Sequence, residues 1–145
     1  MDALTIFFTI GSIVSIAIAT YGAIKMNRRN LLLGTFLYSL LPVLGESIQF
    51  HLTGDYGNLI TVAAFLCAAI LSFPNKISYS LENQAAVKLA RKIGLSIMIL
   101  NILQGYIVLQ LRTDVPNFYG YAHLALAMIF MYMIMKSRST DFQMN

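Results

Sequence analysis

Charge is scarce in this sequence. Charged residues fill 11% of its 145 positions and apolar residues 58%, whereas soluble domains carry about 25% charged residues. So few charges cannot cover a water-soluble fold of this length, and the composition calls for a lipid bilayer as solvent. Cysteine occurs once, as Cys67, which excludes an intrachain disulfide and a thiolate metal cluster. Set among alanines, it reads as a packing residue. No Asn-x-Ser/Thr sequon is present. The start, Met1-Asp2-Ala3, has no basic stretch ahead of the first apolar run. That run is therefore expected to remain in the mature chain.

Chemistry-bearing motifs are missing as well. There is no HExxH, no G-x-S-x-G, no phosphate-binding loop and no dinucleotide fingerprint. Only one carboxylate, Glu46, falls inside an apolar run, so a paired-carboxylate mechanism lacks its second member. These absences weigh against an enzyme, and no cofactor is expected. The net charge of +4 does not point to nucleic acid. The basic residues form short clusters beside apolar runs and do not alternate with exposed aromatics. The absence of tryptophan also sets the chain apart from the small porphyrin- and sterol-binding translocator proteins.

What the chain does contain is five apolar runs, at about 3–24, 31–50, 56–73, 93–111 and 118–135. Each approaches the roughly 20 residues that cross a ~30 Å hydrocarbon core as a helix. Helix is the state that satisfies every backbone group without help from water. The third run is the shortest. The stretch from Ser80, "SLENQAAVKLARK", has Ser80 as a helix start and Glu82 in the first turn. It extends the fourth helix to about 80–111. An alternative is an interfacial segment resting on Ile77, Leu81 and Ala85.

The basic residues alternate from loop to loop. Lys25, Arg28, Arg29, Lys76, Lys88, Arg91, Lys92, Lys136 and Arg138 fall on one side, and Arg112 alone falls on the other. By the positive-inside rule the N-terminus is expected outside and the C-terminus in the cytoplasm. The expected fold is thus all-α: a single polytopic domain, 1–145, bundling about five transmembrane helices, and the expected location is a bacterial cytoplasmic membrane. Its expected partners are the lipid bilayer and other membrane subunits or further copies of itself.

Lipid offers no hydrophobic push between helices, so small residues and polar contacts must hold the bundle. Helix one presents Gly11, Ser15, Ala19 and Ala23 at steps of four, and helix three presents Ala64 and Ala68. Helix four carries Gly94, Asn101, Gln104, Gly105 and Arg112 along one face. For Asn101 alone, an interhelical hydrogen bond worth about 0.6 kcal/mol suffices.

Helix two is the most polar. In "LLPVLGESIQFH", Pro42, Glu46 and Gln49 continue a stripe begun by Thr35 and Ser39. Pro42 removes a backbone donor and Gly45 loosens the same turn, so a kink is expected there. Glu46 lies about five residues from the helix end, roughly 7 Å deep. Its available partners are Arg112 and His123. Glu46, Gln49, His51, Asn101, Gln104, Arg112 and His123 are therefore expected to converge on one ligand or ion pocket. A purely structural Glu46–Arg112 pair is the competing reading. His51 and His123 are weak candidates for a metal, and Met128, Met131, Met133 and Met135 read as flexible packing.

Three functions follow as expectations. The first is a non-enzymatic accessory subunit of a larger membrane assembly, from small size and missing chemistry. The second is a small oligomeric channel or permease with its polar pocket around Glu46. The third is a membrane redox protein with haem on His51 and His123.

Overall fold

The computed structural model describes residues 3–74, 84–113 and 115–136, apart from the side chains of 84–87. Five helices make up its regular structure: α1 (Ala3–Ile24), α2 (Arg28–Thr53), α3 (Tyr56–Ser72), α4 (Gln84–Gln110) and α5 (Asn117–Lys136). The proposed start at Ser80, the interfacial alternative at Ile77 and Leu81, and the side chain of Ala85 lie outside the described residues.

Short turns set the helix order. α1 ends where Met26 takes a left-handed backbone, φ 55°. Asn27 N–H then donates to the Gly22 carbonyl at 2.7 Å and Met26 N–H to that of Ala23 at 3.3 Å. That pair of bonds is a Schellman cap. Asn27 also begins α2, its side-chain oxygen accepting from Asn30 N–H at 3.1 Å. The next turn is shorter. Gly54, at φ 71°, closes α2 by donating to the Phe50 carbonyl at 2.8 Å. Asp55 then caps α3, its carboxylate accepting from Gly57 N–H at 2.9 Å. Consecutive helices therefore run antiparallel.

Close backbone approach fixes the pairs. A Cβ on Gly34 would lie 2.6 Å from the Ser15 carbonyl oxygen and nearer still to the Ala19 nitrogen. One on Gly22 would run into the Leu31 nitrogen. The ridge Ser15, Ala19 and Ala23 is buried against α2, as its spacing implied. α4 and α5 cross at Gly105 and Gly120, where a Cβ on either would come within about 3.2 Å of the other's carbonyl oxygen. The ring closes through α1 and α5: Tyr119 Oη donates to the Thr5 carbonyl at 3.3 Å and lies 3.2 Å from Thr9 Oγ1. The order around the ring is α1, α2, α3, α4, α5, and α3 touches α4 least.

This arrangement gathers Lys25, Arg28, Arg29, Lys88, Arg91, Lys92 and Lys136 at one end, the basic end, and Arg112 at the other. Lys76 and Arg138 lie outside the described residues. The outer surface is apolar along the helices: Phe7, Ile10, Ile60, Ile70, Leu103 and Met128 are all exposed. Four helices, α1, α2, α4 and α5, are long and apolar enough to cross a membrane. α3 has 17 residues, about 25 Å of helix, and is shorter than the ~30 Å core.

Several expectations change. α2 extends beyond 31–50 at both ends, because Asn27 and Gly54 cap it. Its helix continues through Pro42, where the proline removes one backbone hydrogen bond without ending the helix, which is compatible with the expected kink. Cys67 is exposed on the outer face of α3 and is not packed inside. Of the four methionines on α5, only Met133 is buried; Met128, Met131 and Met135 face outward.

Candidate functional site

The polar residues of the ring interior lie in two layers. The deeper layer is built on His123. Asn101 Nδ2 donates to the Ile97 carbonyl one turn back at 2.9 Å. That leaves Asn101 Oδ1 as the acceptor 2.9 Å from His123 Nδ1, so Nδ1 carries the ring hydrogen and Nε2 is the acceptor. Two aromatic rings enclose the imidazole. Tyr38 meets it edge-on at 5.1 Å and Phe65 lies tilted against it at 5.3 Å. Asn101, Tyr38 and Phe65 come from α4, α2 and α3, so one α5 side chain joins four helices. Thr35 and Ser39 are fully buried on the same stripe of α2. Thr35 Oγ1 donates to the Leu31 carbonyl at 2.8 Å. Among the described residues, Ser39 Oγ is the buried side-chain polar atom that reaches no partner. Such a group is held at about 1–3 kcal/mol.

Because the His123–Asn101 bond is enclosed, removing one member leaves the other unmet. Asn101→Leu is expected to lower stability by about 1 kcal/mol, within the range of interhelical polar contacts in lipid. The check is the unfolding midpoint in detergent, compared with His123→Phe/Asn101→Leu, which removes both partners and is expected to recover part of the loss.

The second layer lies toward the Arg112 end. Arg112 Nη1 donates to both Glu46 oxygens, at 3.4 Å and 3.3 Å. The Glu46 side chain is 12% exposed and that of Arg112 23% exposed. α4 closes beneath this arginine: the Leu111 and Arg112 N–H groups both reach the Ile107 carbonyl, at 2.8 Å and 3.1 Å. With α2 running to Thr53, Glu46 is seven residues from the helix end, about 10 Å deep rather than 7 Å. Above the pair a cleft of about 280 Å³ is lined by Gln49, Thr53, Asp55, Asn58 and Arg112. Asn58 is buried, and its Nδ2 donates to Thr53 Oγ1 at 3.4 Å. Spacing alone does not single out Thr53, which follows Gln49 by four on the α2 stripe, or Asp55 and Asn58, which lie beyond that helix. The tight Gly54-Asp55 turn brings Asp55 and Asn58 to the cleft.

The single expected pocket is thus divided. Gln49 and Arg112 line the cleft, with Glu46 paired to Arg112 beneath it. Asn101 and His123 meet in the deeper layer, and Gln104 is buried on the same face of α4. His51, in the last turn of α2, is exposed, whereas His123 is enclosed by rings, so the two imidazoles do not face one cavity. No three His, Cys, Asp or Glu side chains cluster as a metal site among the described residues. Gly45 and Pro42 sit between the layers on α2, with Gly45 facing the Phe8 ring of α1. No protein-family model, curated protein or solved structure matches the chain.

Proposed function

We propose that this chain is a five-span integral membrane protein that binds a small polar solute in the cleft above Glu46 and Arg112, as a small permease does. On this reading the basic end faces the cytoplasm and the Arg112 end faces outside. α3 spans with help from local bilayer thinning.

The observation that carries the reading is the path of polar side chains along the ring interior. From the cleft it passes Gln49, Asn58 and the Glu46–Arg112 pair, then descends to Ser39, Asn101 and His123. Polar groups inside a membrane protein are expensive and mark ligand or ion paths by default. A scaffold would pack as well with apolar residues there. Below the Glu46–Arg112 pair, Tyr38, Phe65 and His123 pack ring against ring, so the cleft is open at one end and the interior beneath the pair is filled. Such a one-sided site suits alternating access more than an open pore.

Solute binding can be measured on detergent-purified protein. A panel of amino acids, organic acids, sugars and polyamines is expected to include one class that raises the unfolding midpoint, an effect lost in Gln49→Leu/Asn58→Leu. If no class does so, and liposomes holding the protein accumulate none of them, the reading fails.

A second reading is the accessory subunit. It is favoured by α1, where only 17% of the most apolar window is buried, against 33–39% for the other spanning helices. So bare a helix suits a partner helix. Photo-crosslinking from Ile13 or Val14 in native membranes would capture that partner; crosslinks to lipid alone would remove the reading.

A further inference from the structure

We infer that the ligand of this cleft is an oxyanion, a carboxylate or phosphate group, which binds Arg112 by displacing Glu46. The inference rests on the solute-binding reading above and names its ligand class.

Three observations carry it. First, Arg112 is the one lysine or arginine at its end of the bundle among the described residues, and it lines the cleft. A guanidinium is the side chain best matched to a carboxylate or phosphate. Second, its bonds to Glu46 are long. One nitrogen, Nη1, serves both Glu46 oxygens at 3.3 Å and 3.4 Å. A tight charge-assisted pair lies at about 2.7–2.9 Å, often with two nitrogens engaged in parallel. Glu46 is thus an internal carboxylate that a better-placed oxyanion can replace. Third, the remaining cleft groups suit the rest of such a ligand. Gln49 and Asn58 bring amides, Thr53 a hydroxyl and Asp55 a carboxylate. Asp55 stands at the rim, where it would repel a second negative charge and accept from an ammonium. Small monoanions and zwitterions are therefore favoured over dianions.

The pairing also has a consequence for motion. Glu46 is on α2, and Arg112 follows α4. Exchange of Glu46 for a ligand oxyanion removes one tie between α2 and the end of α4, beside a seam where α3 and α4 make little contact.

The two partners should respond in opposite directions, and that decides the matter. The probes are sodium acetate, sodium phosphate, glycine and choline chloride at fixed ionic strength, read by midpoint shift and isothermal titration on the full chain in detergent. Glu46→Gln removes the internal competitor while keeping its shape, and oxyanion affinity is expected to rise several-fold. Arg112→Gln is expected to weaken it by at least about tenfold, with Arg112→Lys intermediate. Choline should not bind any of the variants. Mixed micelles with phosphatidylglycerol form a second arm. A shift with that lipid and none with acetate, phosphate or glycine identifies a headgroup as the oxyanion's source; the reverse identifies a free solute.

Equal weakening by Glu46→Gln and Arg112→Gln would overturn the exchange, as would preferential binding of choline. Binding of neutral solutes alone would overturn the oxyanion and leave the solute-binding reading standing. Binding of nothing by the wild-type chain would end both. Each variant is first checked for a cooperative unfolding transition. If Arg112→Gln does not fold, the Glu46→Gln gain and the Arg112→Lys loss carry the test.

Discussion

Gly34→Val is expected to break the α1–α2 hairpin apart. The added Cβ would meet the Ala19 nitrogen and the Ser15 carbonyl oxygen, which are backbone atoms and cannot swing aside as a side chain can. Overpacking a well-filled contact costs about 1–3 kcal/mol, and more where backbones must separate. We expect at least about 3 kcal/mol here, because α1 has little other cover. Gly22→Val should behave alike, since its Cβ would strike Leu31. Gly45→Ala is the control. Its Cβ would meet only the Phe8 ring, at 3.6 Å, an ordinary contact. Replacing a helical glycine with alanine where there is room adds up to about 1 kcal/mol, so this variant should be neutral or more stable. Unfolding in mixed detergent with rising sodium dodecyl sulfate measures all three. Similar losses at positions 34 and 45 would mean that the close approach does not hold the hairpin.

The second large effect is expected at the Glu46–Arg112 pair. Arg112→Leu leaves an enclosed carboxylate without its cation. Breaking a fully buried pair costs about 3–5 kcal/mol. With the side chains 12% and 23% exposed, about 2 kcal/mol is the expected loss. Glu46→Leu/Arg112→Leu should recover most of it, because an apolar pair has no charge to strand. The double-mutant cycle therefore yields a coupling near the single-mutant loss. Additive losses would show that the two side chains act on stability separately. This cycle measures what the pair does for the fold, whereas the ligand titrations measure what it does for binding.

How much of this was legible in the sequence depends on the range of the interaction. The five helices were legible, because runs of apolar residues bounded by Asn27, Gly54-Asp55 and 111–116 carry a strong local signal. The inward faces of α2 and α4 were legible too. Thr35, Ser39 and Asn101 are fully buried, and the spacing of polar residues had placed them inside. Glu46 against Arg112 followed from depth: both lie near the same helix ends. Two kinds of feature were not legible. Gly34 has no small residue four positions away, so nothing marks it as the contact for Ser15 and Ala19 on another helix. The split into two layers also escaped, since spacing along a helix gives the face but not which neighbour it meets. His123 meets Asn101, Tyr38 and Phe65 only because α5 stands across the ring from α2 and α3. The length of α2 was underestimated because Arg28 and Arg29 are polar; helix and apolar run are different quantities, and caps rather than hydropathy end the helix.

The central claim is that the polar cleft opens to water at the outer face while the layer at Ser39 is sealed within the ring. Cysteine labelling in intact cells tests it most directly, in a Cys67→Ala background with a membrane-impermeant maleimide. The account predicts rapid labelling of Gln49→Cys without permeabilisation, none of Ser39→Cys, and labelling of Lys88→Cys only once the membrane is opened. Labelling of Ser39→Cys in intact cells, with Gln49→Cys silent, would contradict it.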